Sequence, residues 1–193
     1  ALAQKMLDTA ARAVALDSMN AFAHTVHGQA LSAVGRFDDA VAAGERALAI
    51  NPNDADVLSV YGNTILARFG AYEKGVEVLR RLNQIDPFPS ASSLGGFGRL
   101  LYMAGHYDES ASISRRAIEI TTPSQATYSL VTLSAALGQL ARTEEARATV
   151  AQLLANVPNY RIADEVAGMN QRFRIKADVD RFADGLRKAG LPE

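Results

Sequence analysis

Apolar side chains recur along the chain with the period of a helix. Met6, Leu7, Ala10 and Val14, for example, lie three or four residues apart or adjacent, a spacing that places them on one face of a helix. Short stretches rich in Gly, Pro, Asn and Asp interrupt this pattern. The chain is therefore predicted to form amphipathic helices joined by short loops, at about 2–16, 21–34, 38–50, 55–68, 73–85, 91–104, 108–120, 125–137, 143–156, 160–172 and 178–189.

The helical pattern itself repeats along the chain. Residues 11–21 match residues 45–55 in type at nearly every place, at an offset of 34. Gly28, Gly62 and Gly98 recur at similar offsets, and a glycine inside a helix costs about 1 kcal/mol relative to alanine. Their recurrence predicts that two helices cross closely there. A second set is predicted to end helices in a left-handed conformation: Gly35, Gly70, Gly105 and Gly138.

These landmarks resemble the tetratricopeptide repeat (TPR), a helix–turn–helix unit of about 34 residues. The resemblance implies an all-α fold, a right-handed α-solenoid formed by a single TPR array over 1–193. It divides the chain into the second helix of a truncated unit (1–20), full units at 21–54, 55–90, 91–124 and 125–160, and a degenerate unit with a capping helix (161–193). Thr132 replaces the recurring glycine in the fourth unit, which predicts looser helix contacts there.

Composition excludes several function classes. The 20 Lys and Arg nearly balance the 21 Asp and Glu, whereas proteins that bind nucleic acid or anionic membranes usually carry a basic excess. The chain has no cysteine, which excludes disulfides, cysteine-based zinc sites and thiol catalysis. No apolar run is long enough to span a membrane. We therefore expect a cytoplasmic protein with no nucleic-acid or membrane partner.

The residues that could carry chemistry do not form a catalytic set. His24 and His27 lie one helical turn apart, but they occupy inward-facing places of a helix, so a packed or hydrogen-bonded pair is favoured over a metal site. Adjacent carboxylates such as Asp38 and Asp39 point in different directions. We expect no enzyme activity, no metal and no cofactor in this fragment. Gly95 and Gly96 fit either a weak helix held by its neighbours or space cleared for a ligand.

The TPR resemblance places the first helix of each unit on a concave groove. Asn63 could bind both the N–H and the C=O of an extended peptide, and Arg99 could pair with a carboxylate. Each place fits equally well an ordinary solvated helix face. Clamping of a carboxylate tail, as in some TPR proteins, is disfavoured because Thr25, Gln29 and Gly96 replace the basic residues. The predicted groove residues are Phe22, Thr25, Gln29, Ser59, Asn63, Leu66, Arg99 and Tyr102, with Asp56 and Ser129 close by.

The resemblance also suggests a biological context. Residues 178–193 are similar to the end of bacterial class III adenylate and guanylate cyclases that carry TPR arrays, and such arrays also follow winged-helix domains in bacterial regulators. We expect a non-catalytic protein- or peptide-binding module, the C-terminal regulatory region of a larger bacterial signalling protein. The unpaired apolar stripe of the opening helix suggests a fragment cut within a repeat. It also supports the alternative, a scaffold through which the parent protein self-associates.

Overall fold

The computed structural model describes residues 2–193, which form helices joined by short loops. The helix α4 is continuous over residues 55–69 and contains a π-helical turn, Tyr61–Leu66, between Ala55–Val60 and Ala67–Phe69. The other helices are α1 (Leu2–Leu16), α2 (Ala21–Ala33), α3 (Phe37–Ile50), α5 (Tyr72–Ile85), α6 (Ala91–Met103), α7 (Tyr107–Glu119), α8 (Thr127–Gln139), α9 (Thr143–Asn156), α10 (Ile162–Asn170) and α11 (Lys176–Ala189).

Each predicted helix is present, with its ends within two residues of the predicted ones. Polar side chains cap the N-termini of several of these helices. The Asn20 side chain accepts a hydrogen bond from Ala23 N (2.9 Å) at the start of α2. Asp54 caps α4 in the same way, because its Oδ1 accepts from two backbone N–H groups of the first turn. These caps satisfy donors that have no partner within the helix.

The recurring glycines lie where the two helices of a hairpin cross. A Cβ added to Gly28 would lie 3.0 Å from Ala40 O, and one added to Gly62 would lie 2.7 Å from Leu79 Cδ2. At Gly98 the nearest atom would be Ser114 Oγ, at 2.6 Å. Since these distances leave no room for a side chain, the predicted close crossings are confirmed.

The prediction of left-handed glycines is confirmed at three of its four positions. Gly35, Gly70 and Gly105 have φ of 80°, 96° and 86°. The prediction for Gly138 is wrong, because this residue lies inside α8 and the left-handed residue of that turn is Ala141, with φ of 55°. Gly138 instead allows another helix to approach α8, as described below.

The helices form two compact units, one that ends at Pro87 and one over Phe88–Glu193. The core of the first unit brings α1 to α4 together around Leu7, Leu31, Ala43, Tyr61 and Leu66, with smaller alanines between them. The ring of Tyr61 fills the space above Gly44, where an added Cβ would lie 2.2 Å from Tyr61 Cδ2.

The second unit contains two hairpins, α6–α7 and α8–α9, followed by α10 and α11. The predicted capping helix is α11, and it buries Val179, Phe182 and Leu186. It packs against α8 and also contacts α6 through Tyr102 and Met103. The first helices of these two hairpins are therefore covered by the C-terminal part of the same unit.

Candidate binding surface

Half of the predicted groove residues lie at the surface of the first unit. Phe22 on α2 is 59% exposed although its side chain is apolar, and Gln29, seven residues further along α2, is partly exposed. Ser59 and Asn63 on α4 are also partly exposed. Phe22 and Gln29 therefore share a face of α2, and Ser59 and Asn63 share a face of α4, a helix that contacts α2. We call these four residues the first-unit face.

Asn63 differs from the rest of this face because it lies in the π-helical turn. Its Oδ1 is buried and accepts no hydrogen bond from the described residues. A buried carbonyl without a donor costs about 1–3 kcal/mol, and π-helical turns occur frequently at functional sites. The first-unit face thus combines an exposed aromatic ring with an amide whose hydrogen-bonding capacity is unused.

Two predicted groove residues of the first unit are buried, so their prediction is wrong. The Thr25 hydroxyl donates to Ala21 O (2.9 Å) within α2 and is closed off from solvent. Leu66 belongs to the core of the unit. Leu66 is the last residue of the π-helical turn, and Ile65 beside it is buried as well. The equivalent residues of the regular helix α2, Leu31 and Ser32, are also buried, so the hairpin packing turns this position inward in both repeats.

Arg99 was predicted to face a ligand, and this prediction is also wrong, because the residue is only 3% exposed. Its Nη1 donates to Glu165 Oε1 of α10 (2.7 Å), and its Nε donates to Thr132 Oγ1 of α8 (2.8 Å). The guanidinium carbon lies 4.4 Å from the ring centre of Tyr128 and 4.2 Å from that of Phe182. The guanidinium is thus paired with a carboxylate and held between two aromatic rings.

The carboxylate of this buried pair is held on both oxygens. The Tyr160 hydroxyl donates to Glu165 Oε2, while Arg99 binds the other oxygen. Burial opposes ionisation of Glu165, but the charge of Arg99 and the hydrogen bond from Tyr160 together outweigh it and hold the pKa below its usual value. Glu165 is therefore charged at neutral pH, and α10 is fixed to α6 by an ion pair.

Tyr102 is fully buried under α11, which corrects its prediction as a groove residue. Its hydroxyl donates to Arg181 O (2.8 Å) and accepts from Gln139 Nε2 (3.1 Å). Its ring meets that of Phe182 edge-on, with 4.8 Å between the centroids. Burial raises the pKa of Tyr102 well above the ordinary value, so the residue serves as a neutral hydrogen-bonding group between α6 and α11.

The sequence pattern did not predict that α10 helps to cover Arg99 and Tyr102. The residues that cover Arg99 and Tyr102 come from α10 and α11: Glu165, Met169, Phe182 and Gly185. The sequence pattern predicted α11 only as a capping helix and assigned no contact to α10. A glutamate on a helix surface has no spacing that distinguishes it from a solvated one, so the ion pair with Arg99, 66 residues away, could not be foreseen.

The remaining candidates have structural explanations. The ring Nε2 of His24 lies 3.0 Å from Ser18 O, while burial and the nearby charges of His24 and Arg36 lower the pKa of His27. A Cβ added to Gly95 would lie 2.9 Å from Ser129 Oγ, so this glycine lets α6 approach α8. Over residues 2–193, no group of three or more His, Asp or Glu side chains is arranged to hold a metal ion. No helix in this range has the length and apolarity needed to cross a membrane.

Comparison with known proteins identifies the fold. No family model matches the chain, and no curated protein matches it. Among solved structures, the TPR protein YrrB, described as having an unusual peptide-binding site, matches with a TM-score of 0.64 and 17% identity over 93% of this chain and 90% of YrrB. The type IV pilus biogenesis factor PilW matches with a TM-score of 0.74 and 15% identity, over 97% and 82%.

A third solved structure, a TPR protein from Thermus thermophilus, matches with a TM-score of 0.63 and 18% identity, over 94% of this chain and 89% of that one. These likenesses, together with the glycine-mediated hairpins, show the fold. The chain is all-α, an α-solenoid of helix–turn–helix TPR units followed by a capping helix.

Proposed function

We propose that this chain is a non-catalytic protein-binding module that holds an extended peptide segment on its first-unit face. The observation that carries the proposal is the buried, unpaired Oδ1 of Asn63 in a π-helical turn beside exposed side chains. A small rotation of the side chain would let this oxygen accept a peptide N–H while its Nδ2 donates to a peptide C=O. Phe22 would supply apolar contact for one side chain of the segment.

The likeness to solved TPR structures supports this proposal, because one of them, YrrB, is described as carrying a peptide-binding site. The second unit does not offer an equivalent surface, since Arg99 and Tyr102 are covered. The proposal therefore assigns the ligand to Phe22, Gln29, Ser59 and Asn63 alone.

A selection experiment tests this assignment. Random peptides displayed on phage are selected for binding to the wild-type protein. The selected peptides are then synthesised, and their affinity is measured by calorimetry. Asn63→Ala should weaken binding by about tenfold or more, the effect of losing hydrogen bonds worth about 1.4 kcal/mol. Asn159→Ala, the same change at an exposed loop position, should leave affinity unchanged. Peptides that bind equally well to Asn63→Ala would refute the role of the first-unit face.

N-methylation of the peptide provides a second arm. Removing one backbone N–H at a time should reveal a single position at which affinity falls for the wild type but not for Asn63→Ala. This pattern would identify the peptide N–H that Asn63 accepts. Affinity lost at every position or at none would contradict recognition of a main-chain group by this residue.

We further propose that the module is the regulatory region of a larger cytoplasmic signalling protein of bacteria, a nucleotide cyclase or a transcription regulator. This context rests on the resemblance that the sequence of residues 178–193 suggests to the ends of TPR-bearing cyclases. Reading the coding sequence upstream of this segment tests it, because a cyclase or winged-helix signature should precede the array. An upstream sequence with neither signature would contradict the proposal.

A second candidate function, self-association, is favoured by one observation. The helix α1 packs on α2 through Leu7 and Ala10, but Leu2 and Met6, one helical turn apart, are 74% and 45% exposed. Exposed apolar surface of this kind marks interaction sites. Light scattering of the wild type and of Leu2→Lys/Met6→Lys distinguishes the candidates. A mass that rises with concentration only in the wild type supports a scaffold, and a constant monomer excludes it.

A further inference from the structure

The surface of α6 and α8 around Arg99 and Tyr102, which we call the α6–α8 face, has the properties of a receptor site. The helices α10 and α11 lie on this face, and we call them the cover. Arg99 is oriented there by α8 itself, since Thr132 accepts from its Nε and Tyr128 lies against its guanidinium. Neither contact involves α10 or α11. The cation would therefore keep its position if those two helices moved away, ready to bind another carboxylate.

Polar contacts accompany the apolar ones, such as Val179 and Leu186, between this face and its cover. Besides the Arg99–Glu165 pair, Arg181 Nη2 donates to Met103 O (2.7 Å) and Gln139 Nε2 donates to Arg181 O (3.0 Å). Two buried donors at this boundary, Arg99 Nη2 and Arg181 Nε, have no acceptor among the described residues. Buried groups left unpaired reduce the net stability of a contact.

The cover is also separable along the chain. It begins after α9 and consists of two helices joined by residues 171–175, and α6 to α9 form two complete hairpins without it. Its own contacts indicate what the face selects. They are a carboxylate (Glu165) for Arg99, an aromatic ring (Phe182) that lies against Arg99 and meets Tyr102 edge-on, and a small residue (Gly185) that allows close approach.

We propose that α10 and α11 are a displaceable internal occupant of the α6–α8 face, and that this face, once vacated, binds an amphipathic helix of another protein that carries a carboxylate and an aromatic ring. The partner helix would present a glutamate to Arg99 and an aromatic side chain to Tyr102. It would compete with α10–α11, so its apparent affinity is reduced by the fraction of molecules in which the face is closed. This site is independent of the first-unit face.

Glu165→Gln in the full-length chain tests the proposal, because it weakens the hold of the cover without altering the face. Asp164→Asn is the matched control, an exposed carboxylate on the same helix. Hydrogen exchange of residues 162–189 should become about tenfold faster in Glu165→Gln, while α6 to α9 retain the wild-type rates. Asp164→Asn should exchange like the wild type. Exchange of α8 and α11 at one common rate in every variant would overturn the proposal.

The binding arm uses a fluorescein-labelled peptide of residues 157–193 as the probe, with fluorescence anisotropy as the measurement. The peptide should bind Glu165→Gln about tenfold more tightly than it binds the wild type, and a peptide carrying Glu165→Gln should bind about tenfold more weakly than the unmodified one. A peptide that fails to bind the opened variant overturns the proposal.

A second variant covers a failure of Glu165→Gln to fold. Phe182→Ala removes an aromatic anchor of the cover and also leaves the face intact. In this variant, hydrogen exchange of α10 and α11 should be faster than in the wild type. The variant should also bind the labelled peptide more tightly than the wild type does. If both variants lose the helices α6 to α9, as measured by circular dichroism and hydrogen exchange, the cover is an inseparable part of the core and the proposal is wrong.

Discussion

Gly138 of α8 and Gly185 of α11 bring two helices into backbone contact. A Cβ added to Gly138 would lie 2.0 Å from Gly185 O, and one added to Gly185 would lie 2.7 Å from Ala135 O. Because both obstacles are backbone atoms, they cannot move aside as the end of a flexible side chain could. This contact sets how closely the capping helix approaches the last hairpin.

Gly138→Ala should therefore destabilise the protein although alanine favours helices. The overpacked methyl group is expected to cost about 1–3 kcal/mol, measured by thermal or chemical denaturation. Gly168→Ala on α10 is the control, since its added Cβ would meet only the end of the Arg172 side chain. That variant should be neutral or more stable by up to about 1 kcal/mol. Equal effects at the two positions would contradict the described α8–α11 contact.

The close fit of Tyr61 over Gly44 predicts coupling between these residues. Gly44→Ala should cost about 1–3 kcal/mol, because its Cβ would enter the Tyr61 ring. In a Tyr61→Leu background the same change should cost less or become stabilising, as expected for alanine inside a helix. A double-mutant cycle by urea denaturation measures the difference. Additive effects would show that the ring does not occupy the space above Gly44.

The buried Arg99–Glu165 pair predicts a loss of stability in acid. The pKa of Glu165 in the folded protein lies below its ordinary value of 4.5, so the carboxylate stabilises the fold at pH values above 4.5. This stabilisation is lost as the pH falls through the lowered pKa of the folded state. Glu165→Gln should be less stable at pH 7 and should lose less stability than the wild type between pH 5 and 3. Parallel stability curves for the two proteins would contradict the ion pair.

The turn after α8 predicts a stabilising substitution. Ala141 has φ of 55°, a conformation that is strained for residues with a Cβ. Ala141→Gly should therefore leave stability unchanged or raise it by up to about 1 kcal/mol, since the relief of strain outweighs the added freedom of the unfolded chain. Gly70→Ala, at φ of 96°, should have the opposite effect and cost about 1–2 kcal/mol. Melting temperatures that move in the same direction would contradict these conformations.

The sequence alone determined the local elements and their hairpin arrangement. Helix ends follow from apolar periodicity and from the stretches rich in Gly, Pro, Asn and Asp between the helices, and close crossings follow from recurring glycines at positions 28, 62 and 98. All of these depend on residues within one repeat or in the next, so the pattern along the chain contains them. The fold class could therefore be predicted from the sequence.

Only the tertiary structure decided which of the predicted groove residues are accessible. Phe22 and Asn63 lie at the surface, whereas Leu66 packs in the core of the first unit and Arg99 is paired with Glu165 of a distant helix. Exposure depends on what covers a helix face, and the cover here comes from chain segments dozens of residues away. No periodicity within a helix encodes that contact, because it arises from the shape and charge of two surfaces that meet only after folding.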